Sequence, residues 1–393
     1  RDVERSRGLG DVYKRQGIRM QGKVFGLIYT GESSMQLRDL TFSRSVAAVP
    51  FAGRYRCIDF VLSSLVNTGL SNVGIIAQKN YHSLMDHLGS GKEWELHRKH
   101  DGLFILPPFV THDNTGIYKG TLDALRSVLG YIRRSSQRYV ILTGSHTVFN
   151  TTFHAMIEQH ISTGADITIM YNDVPAGHSD DQFDELRMDL NPDGRVTDLQ
   201  VNPYRPTSCH SACDVFMMEK SLLEYLIEEG VSHGYTDFIR DVLLRKVNTL
   251  KIFGWRYDGY VGCLSSIPSY FTHNMNCLKR EVRNDLFNPD HPIYTKVKDE
   301  VPARYLTDAK VSNSLVADGC VIEGEVEGCV LFRGVKVGKG TKLTNCLVLQ
   351  GCEIHENCEL DHVILDKGCT VHSGRRLAGY DSFPVIIRKG STL

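Results

Sequence analysis

The feature that most limits what this chain can fold into is a repeat toward its C-terminal end. With Val311, Val326, Leu343 and Leu360 as starting points, an aliphatic residue falls four places on in every copy (Leu315, Val330, Leu347, Ile364). A glycine falls eight places on (Gly319, Gly334, Gly351, Gly368), and another aliphatic residue eleven places on (Ile322, Val337, Ile354, Val371). Units this short cannot bury an apolar face alone, so neighbouring copies must stack. Short strands with one turn glycine per copy predict a parallel β-helix over 311–393. Cys320, Cys352 and Cys369 share a column with Val335, which predicts small core residues, not ligands or nucleophiles.

Upstream the pattern is different. Short apolar runs at Val24–Tyr29, Val73–Ala77, Tyr139–Leu142 and Ile167–Tyr171 alternate with amphipathic stretches at Cys57–Asn67, Thr121–Ile132 and Phe153–His160. That alternation predicts βαβ units and a mostly parallel sheet, an α/β domain of Rossmann-like type over 20–283. Ile58, Val61, Leu62, Leu65 and Val66 share one helical face, and Gly69 follows as a C-terminal cap. Leu186–Leu190, Val196–Val201 and Asp214–Met218 read as an antiparallel addition turning at Asn191–Gly194. Helices are expected at Lys220–Glu229 and Asp237–Lys246, and a strand at Leu250–Phe253. Pro289, Pro292 and Pro302 mark 284–310 as a linker. A chain of 393 residues exceeds what one core usually serves, which agrees with two domains. Residues 1–19 are polar, lack periodicity and are expected to lie outside the fold, as a non-native or disordered leader.

Net charge is −1, with both signs mixed along the chain, so neither a nucleic-acid nor an anionic-membrane surface is expected. No apolar run reaches membrane-spanning length and no signal-like segment opens the chain, which predicts a cytoplasmic protein. The 11 cysteines are expected to remain thiols in a reducing compartment. Cys209 and Cys213 have a metal-like spacing, but no second pair follows, so no metal site is read there.

The stretch Tyr29–Phe60 follows the first strand, where a glycine-rich turn would cradle a nucleotide's phosphates. The turn itself holds one glycine, Gly31, followed by the carboxylate of Glu32. Beyond it, L-T-x-x-R at Leu40–Arg44 and A-V-P-F-A-G-R-Y-R-C-I-D-F-x-L-S-S-x-x-N-T-G at Ala48–Gly69 resemble the glucose-1-phosphate adenylyltransferase (ADP-glucose pyrophosphorylase) family. Ile75-Ile76-Ala77-Gln78, Leu106-Pro107-Pro108, Tyr118-Lys119-Gly120-Thr121 and Asn191-Pro192-Asp193-Gly194 follow in the family's order. The resemblance covers essentially everything after Met20. It implies a nucleotidyltransferase domain followed by a left-handed parallel β-helix, and enzymes that make ADP-glucose and pyrophosphate from ATP and glucose 1-phosphate.

The departures fall on the chemistry. The family's G-G-x-G-T-R-L becomes Gly31–Leu37, with Gln36 in place of the arginine that would steady the triphosphate. Val46 replaces a lysine. The family's magnesium-holding aspartates correspond to Ser145 and Cys263, and the lysine that contacts the sugar phosphate corresponds to Asn202. Magnesium in such sites rests on carboxylates and substrate phosphates. The resemblance therefore implies a non-catalytic, regulatory type of subunit with no cofactor of its own, magnesium being bound by a catalytic partner subunit. Arg44 and Arg56 match arginines that the family uses for a phosphorylated effector, and Arg38 and Arg54 add charge nearby. Gly31, Gln78, Gly120 and Thr121 are expected to keep the outline of a nucleotide pocket. An active nucleotidyltransferase with an unusual site and a stand-alone sugar-phosphate or nucleotide sensor remain open as alternatives. His355, His362 and His372 invite comparison with hexapeptide-repeat acyltransferases, but surface histidines explain them better.

Overall fold

The computed structural model describes residues 22–31, 34–108, 118–174, 185–204, 206 and 208–393, without the side chains of 34–36. The expected leader lies outside the described residues. Strand β1 (Val24–Tyr29) is buried at all six positions, as a near-continuous apolar run at the centre of a parallel sheet should be. It pairs in parallel with β2 (Asn72–Ile76) on one side and with β4 (Tyr139–Thr143) on the other; β3 (Gly102–Leu106) extends the sheet beyond β2. Helix α1 (Cys57–Asn67) crosses between β1 and β2. A Cβ on Gly26 would lie 2.9 Å from Leu65, so strand and helix approach as closely as glycine allows. The Asp59 carboxylate starts α1 by accepting the Arg56 N–H at 2.9 Å, and Gly69 ends it at φ 89°.

The helix expected over Thr121–Ile132 is two helices, α2 (Thr121–Ser127) and α3 (Leu129–Arg134). The Ser127 hydroxyl donates to the Ala124 carbonyl at 2.7 Å, a local bond that competes with the helical ladder where the break occurs. A short strand β5 (Thr147–Val148), helix α4 (His154–Thr163) and strand β6 (Ile167–Asp173) follow. The antiparallel addition is β7 (Leu186–Leu190), β8 (Val196–Val201) and β9 (His210–Glu219). Helix α5 (Lys220–Ser232), a π-turned segment Phe238–Leu243 where a regular helix was expected, and β10 (Ile252–Arg256) come next. Among the described residues, nine strands form the main sheet in the order β8-β7-β9-β4-β1-β2-β3, with β6 between β9 and β10. Strand β11 (Gly262–Cys263) pairs with β5, and α6 (Ile267–Asn276) leads toward the second domain.

In that domain the repeat columns lie in hydrogen-bonded register. Leu315, Val330, Leu347 and Ile364 stack as one ladder, and Val311, Val326, Leu343 and Leu360 as another. Three five-stranded parallel ladders make a left-handed β-helix. The four repeat glycines sit at φ 67–74°, a backbone region that costs a residue with a Cβ. The cysteine column is fully buried, and all eleven cysteines are free thiols. Arg304–Tyr305 already pairs with Val321–Ile322, so coil structure begins inside the stretch 284–310 that was expected to be linker. Among the described residues, no helix is long and apolar enough to cross a membrane.

One apolar cluster spans both domains. Leu37, Leu40, Phe51 and Phe60 pack with Tyr270 and Phe271 of α6 and with Val330, Leu347 and Ile364 of the coils. The Tyr270 hydroxyl donates to the Pro50 carbonyl at 2.7 Å, and Asn274 accepts the Ala52 N–H at 3.0 Å. That second bond holds Ala52 at φ 49°. The second half of the Tyr29–Phe60 stretch is thus the seam between the domains.

Candidate functional site

A cleft of about 290 Å³ opens at the carboxyl ends of β1 and β4, where open α/β sheets carry their ligands. Gly31, Gly120 and Thr121 line it. A Cβ on Gly31 would meet the Tyr29 hydroxyl at 2.4 Å and Gln78 Oε1 at 2.5 Å, so both side-chain ends would have to move. Tyr29 folds over this turn and donates to the Gly31 carbonyl at 2.8 Å. Gln78 is beside that turn, and its amide donates to the Tyr118 carbonyl at 3.3 Å. Gly120 is clamped more firmly, against backbone, its Cβ position lying 2.4 Å from the Thr236 carbonyl oxygen. The Gln36 side chain and Glu32 lie outside the described residues.

In the β5–β11 ladder Cys263 faces Thr147, two residues after Ser145. The Leu264 N–H donates to the His146 carbonyl at 2.8 Å, next to Ser145. Ser145 is fully buried and Cys263 half-buried. A hydroxyl and a thiol do not fit a hard, carboxylate-seeking cation such as Mg²⁺. Asn202 is turned away from ligand duty: at φ 49°, its side chain accepts the Glu185 N–H at 2.7 Å and its own N–H donates to the Glu185 carbonyl at 2.8 Å.

Other groups lining the cleft were not singled out from the sequence. Glu185, Asp214, Asp237, His146 and Arg240 all reach it. His146 Nδ1 lies 3.7 Å from an Asp214 oxygen, and the Glu185 carboxylate is held by Arg187. Asp214 has φ 56° and sits where β9 shifts register against β6. No periodicity marks such a bulge, so nothing in the sequence announces that this carboxylate turns into the cleft. Beside it, burial pushes the Cys213 thiol well above the ordinary thiol range, which keeps it inert.

The arginines expected to meet an effector lie at the domain seam, away from the cleft. Arg44 Nη2 reaches both Asp366 oxygens, at 2.9 and 3.0 Å, with exposures of 3% and 1%. Arg44 is therefore committed first to a buried pair joining the domains, because a charge removed from water must be neutralised at close range. Its Nη1 is buried without a hydrogen-bond partner among the described residues. Arg56 Nη1 donates to Ser83 O and Oγ at 2.6 and 2.9 Å. Lys367, which the sequence reading passed over, completes the cluster. Burial, then Arg56 and Arg44, push its ammonium down to about 7. Arg38 and Arg54 are exposed, the latter over the Tyr55 ring at 5.7 Å.

The sheet and cleft define a nucleotidyltransferase scaffold, and the similarity to known proteins agrees. Residues 25–254 match the family described as Nucleotidyl transferase, and 301–382 match the GlmU-like, C-terminal hexapeptide family. The chain is 40% identical over 369 residues to the glycogen biosynthesis protein GlgD of Bacillus subtilis (strain 168), covering 94% of this chain and 96% of that protein. It is 39% identical to the GlgD of Geobacillus stearothermophilus over 82% of this chain and 83% of that one. The glucose-1-phosphate adenylyltransferase of Thermotoga neapolitana (strain ATCC 49049 / DSM 4359 / NBRC 107923 / NS-E) is 32% identical, over 81% of this chain and 76% of its own. The chain belongs to the glucose-1-phosphate adenylyltransferase family of nucleotidyl transferases, among its GlgD-type members.

Proposed function

We propose that the chain acts in glycogen biosynthesis as a regulatory, non-catalytic subunit of glucose-1-phosphate adenylyltransferase. It would pair with a catalytic subunit and tune ADP-glucose synthesis from ATP and glucose 1-phosphate. The observation that carries this reading is a retained scaffold with replaced chemistry. By the motif resemblance Ser145 and Cys263 take the positions of the family's magnesium carboxylates, on neighbouring segments joined by the Cys263–Thr147 pairing, and Asn202 is spent on Glu185. Phosphoryl transfer depends on positioning and charge neutralisation, so losing these groups together removes most of what catalysis needs.

The seam supports the regulatory half. Arg44, Arg56 and Lys367 face one another across the domains with Asp366 as the bonded carboxylate. A phosphorylated small molecule there would offset the repulsion from Arg56 and Arg44 that, after burial, depresses Lys367. Bound at a junction of two domains, it would also bias their packing.

The test is magnesium-dependent pyrophosphate release from ATP and glucose 1-phosphate, by the chain alone and mixed with a catalytic family member. The expected result is no turnover alone, co-elution with the catalytic subunit, and a changed rate in the mixture. Robust turnover alone would overturn the proposal and select an active enzyme using the carboxylates of Asp214 and Asp237. Effector binding without co-elution would select a stand-alone sensor.

A further inference from the structure

A second cluster of chemistry-bearing side chains lies at the strand ends of the first domain. Asp173 is the last residue of β6 and His210 the first of β9, and the two are direct partners in the antiparallel ladder. Cys209 precedes His210, and its carbonyl accepts the Val174 N–H at 2.8 Å. The three side chains converge: a carboxylate oxygen, a sulfur and a ring nitrogen all lie within 4.8 Å of one another. His210 Nδ1 is 2.7 Å from Asp173 Oδ1 and 3.7 Å from Cys209 Sγ.

We infer that Asp173, Cys209 and His210 form a binding site for a thiophilic divalent cation of the Zn²⁺ type, with solvent as fourth ligand. The sulfur–nitrogen distance is already that of a filled site. Bonds of about 2.3 Å to sulfur and about 2.0 Å to nitrogen at a tetrahedral angle place those atoms roughly 3.6 Å apart. The oxygen–nitrogen pair must open from hydrogen-bond distance to about 3.3 Å. Asp173 has room to do so, since its side chain is 36% exposed. The donor set of one thiolate, one imidazole and one carboxylate excludes Mg²⁺ and Ca²⁺ and suits zinc.

Surrounding groups orient the ligands. Arg256 Nη2 holds the other Asp173 oxygen at 3.1 Å, leaving Oδ1 directed at the site, and is itself fixed by Asp258 at 2.8 Å. The Tyr171 ring meets the His210 imidazole edge-on, with centroids 5.0 Å apart. Such outer partners set ligand direction in metal sites. Binding is a proton exchange: the Cys209 thiol loses its proton to solvent, and His210 coordinates through Nδ1 with its remaining proton on Nε2. The cation would tie the end of β6 to the start of β9, a structural clamp independent of the cleft and the seam.

Of the eleven cysteines, Cys209 and Cys263 alone are not buried, which makes the assignment testable by spectroscopy. Chelator-stripped full-length protein is titrated with Co²⁺ and the absorption followed, then Zn²⁺ is added. One equivalent of Co²⁺ should produce a thiolate-to-cobalt charge-transfer band that Zn²⁺ displaces. Cys209→Ser and His210→Gln should abolish the band, Arg256→Gln should weaken binding about tenfold, and Cys263→Ser should leave it intact. Calorimetry in two buffers should show proton release on Zn²⁺ binding. Absence of the band in the unmodified protein overturns the site and leaves only a surface hydrogen-bond network. Its persistence in Cys209→Ser overturns the ligand assignment, and a circular-dichroism melt of each variant shows that a lost band is not lost folding.

Discussion

Replacing Asp366 by Asn should destabilise the protein more than replacing Arg44 by Met, although both break the same ion pair. The pair is buried on both sides and bonded through both carboxylate oxygens. Breaking one such pair typically costs about 3–5 kcal/mol, because the surviving charge stays in a low-dielectric site. The survivors differ here. Asp366→Asn leaves Arg44, Arg56 and Lys367 facing one another without the carboxylate, so its cost belongs near the upper end of that range. Arg44→Met leaves Asp366 with Lys367, whose backbone N–H already donates to it at 2.7 Å. It also removes one of the two arginines that, after burial, depress the Lys367 ammonium, so Lys367 holds its proton more readily and offsets part of the Asp366 charge. The cost should fall to about 3 kcal/mol or less. Urea unfolding of the two variants and of the double variant Arg44→Met/Asp366→Asn gives the losses and the coupling energy. Equal losses, a larger loss for Arg44→Met, or a coupling below about 0.5 kcal/mol would refute the reasoning.

Two further outcomes follow from the same geometry. Lys367 is held at about 7 against 10.5 for an ordinary lysine, so between those values the unfolded chain carries the extra proton and stability rises with pH, while below about 7 the cost of the buried charge is constant. Urea midpoints measured across that window should rise in the unmodified protein and flatten in Lys367→Met; an unchanged slope in the variant would reassign the effect. Gly120→Ala should cost about 1–3 kcal/mol, since its Cβ would lie 2.4 Å from the Thr236 carbonyl oxygen at extended φ, where the objection is contact and not backbone strain. A thermal melt as stable as the unmodified protein would show that the clamp between α2 and the Phe238–Leu243 segment yields easily.

Much of the architecture is legible in the chain because it depends on local periodicity. The β-helix columns and the boundaries of β1 and α1 follow from spacings of a few residues. The errors are local as well: Ser127 breaks an otherwise regular helix, and coil pairing begins at Arg304 among prolines that read as a linker. The cleft is half legible. Gly31, Gly120 and Thr121 are where a strand-end site needs them, but Asp214 enters through a bulge that has no sequence signature.

By itself, the sequence determined the α/β and β-helix order and the stacking register. Only the tertiary structure decided which charges meet. Arg44 reads as a free cation for an effector until Asp366, 322 residues away, is found on both of its bonds. Lys367 gains its depressed ammonium only where packing buries it and then sets it beside Arg56 and Arg44. Asp173 joins Cys209 and His210 only because β6 and β9 pair. Periodicity is written into each segment, whereas burial and charge pairing belong to surfaces that exist once the segments are packed.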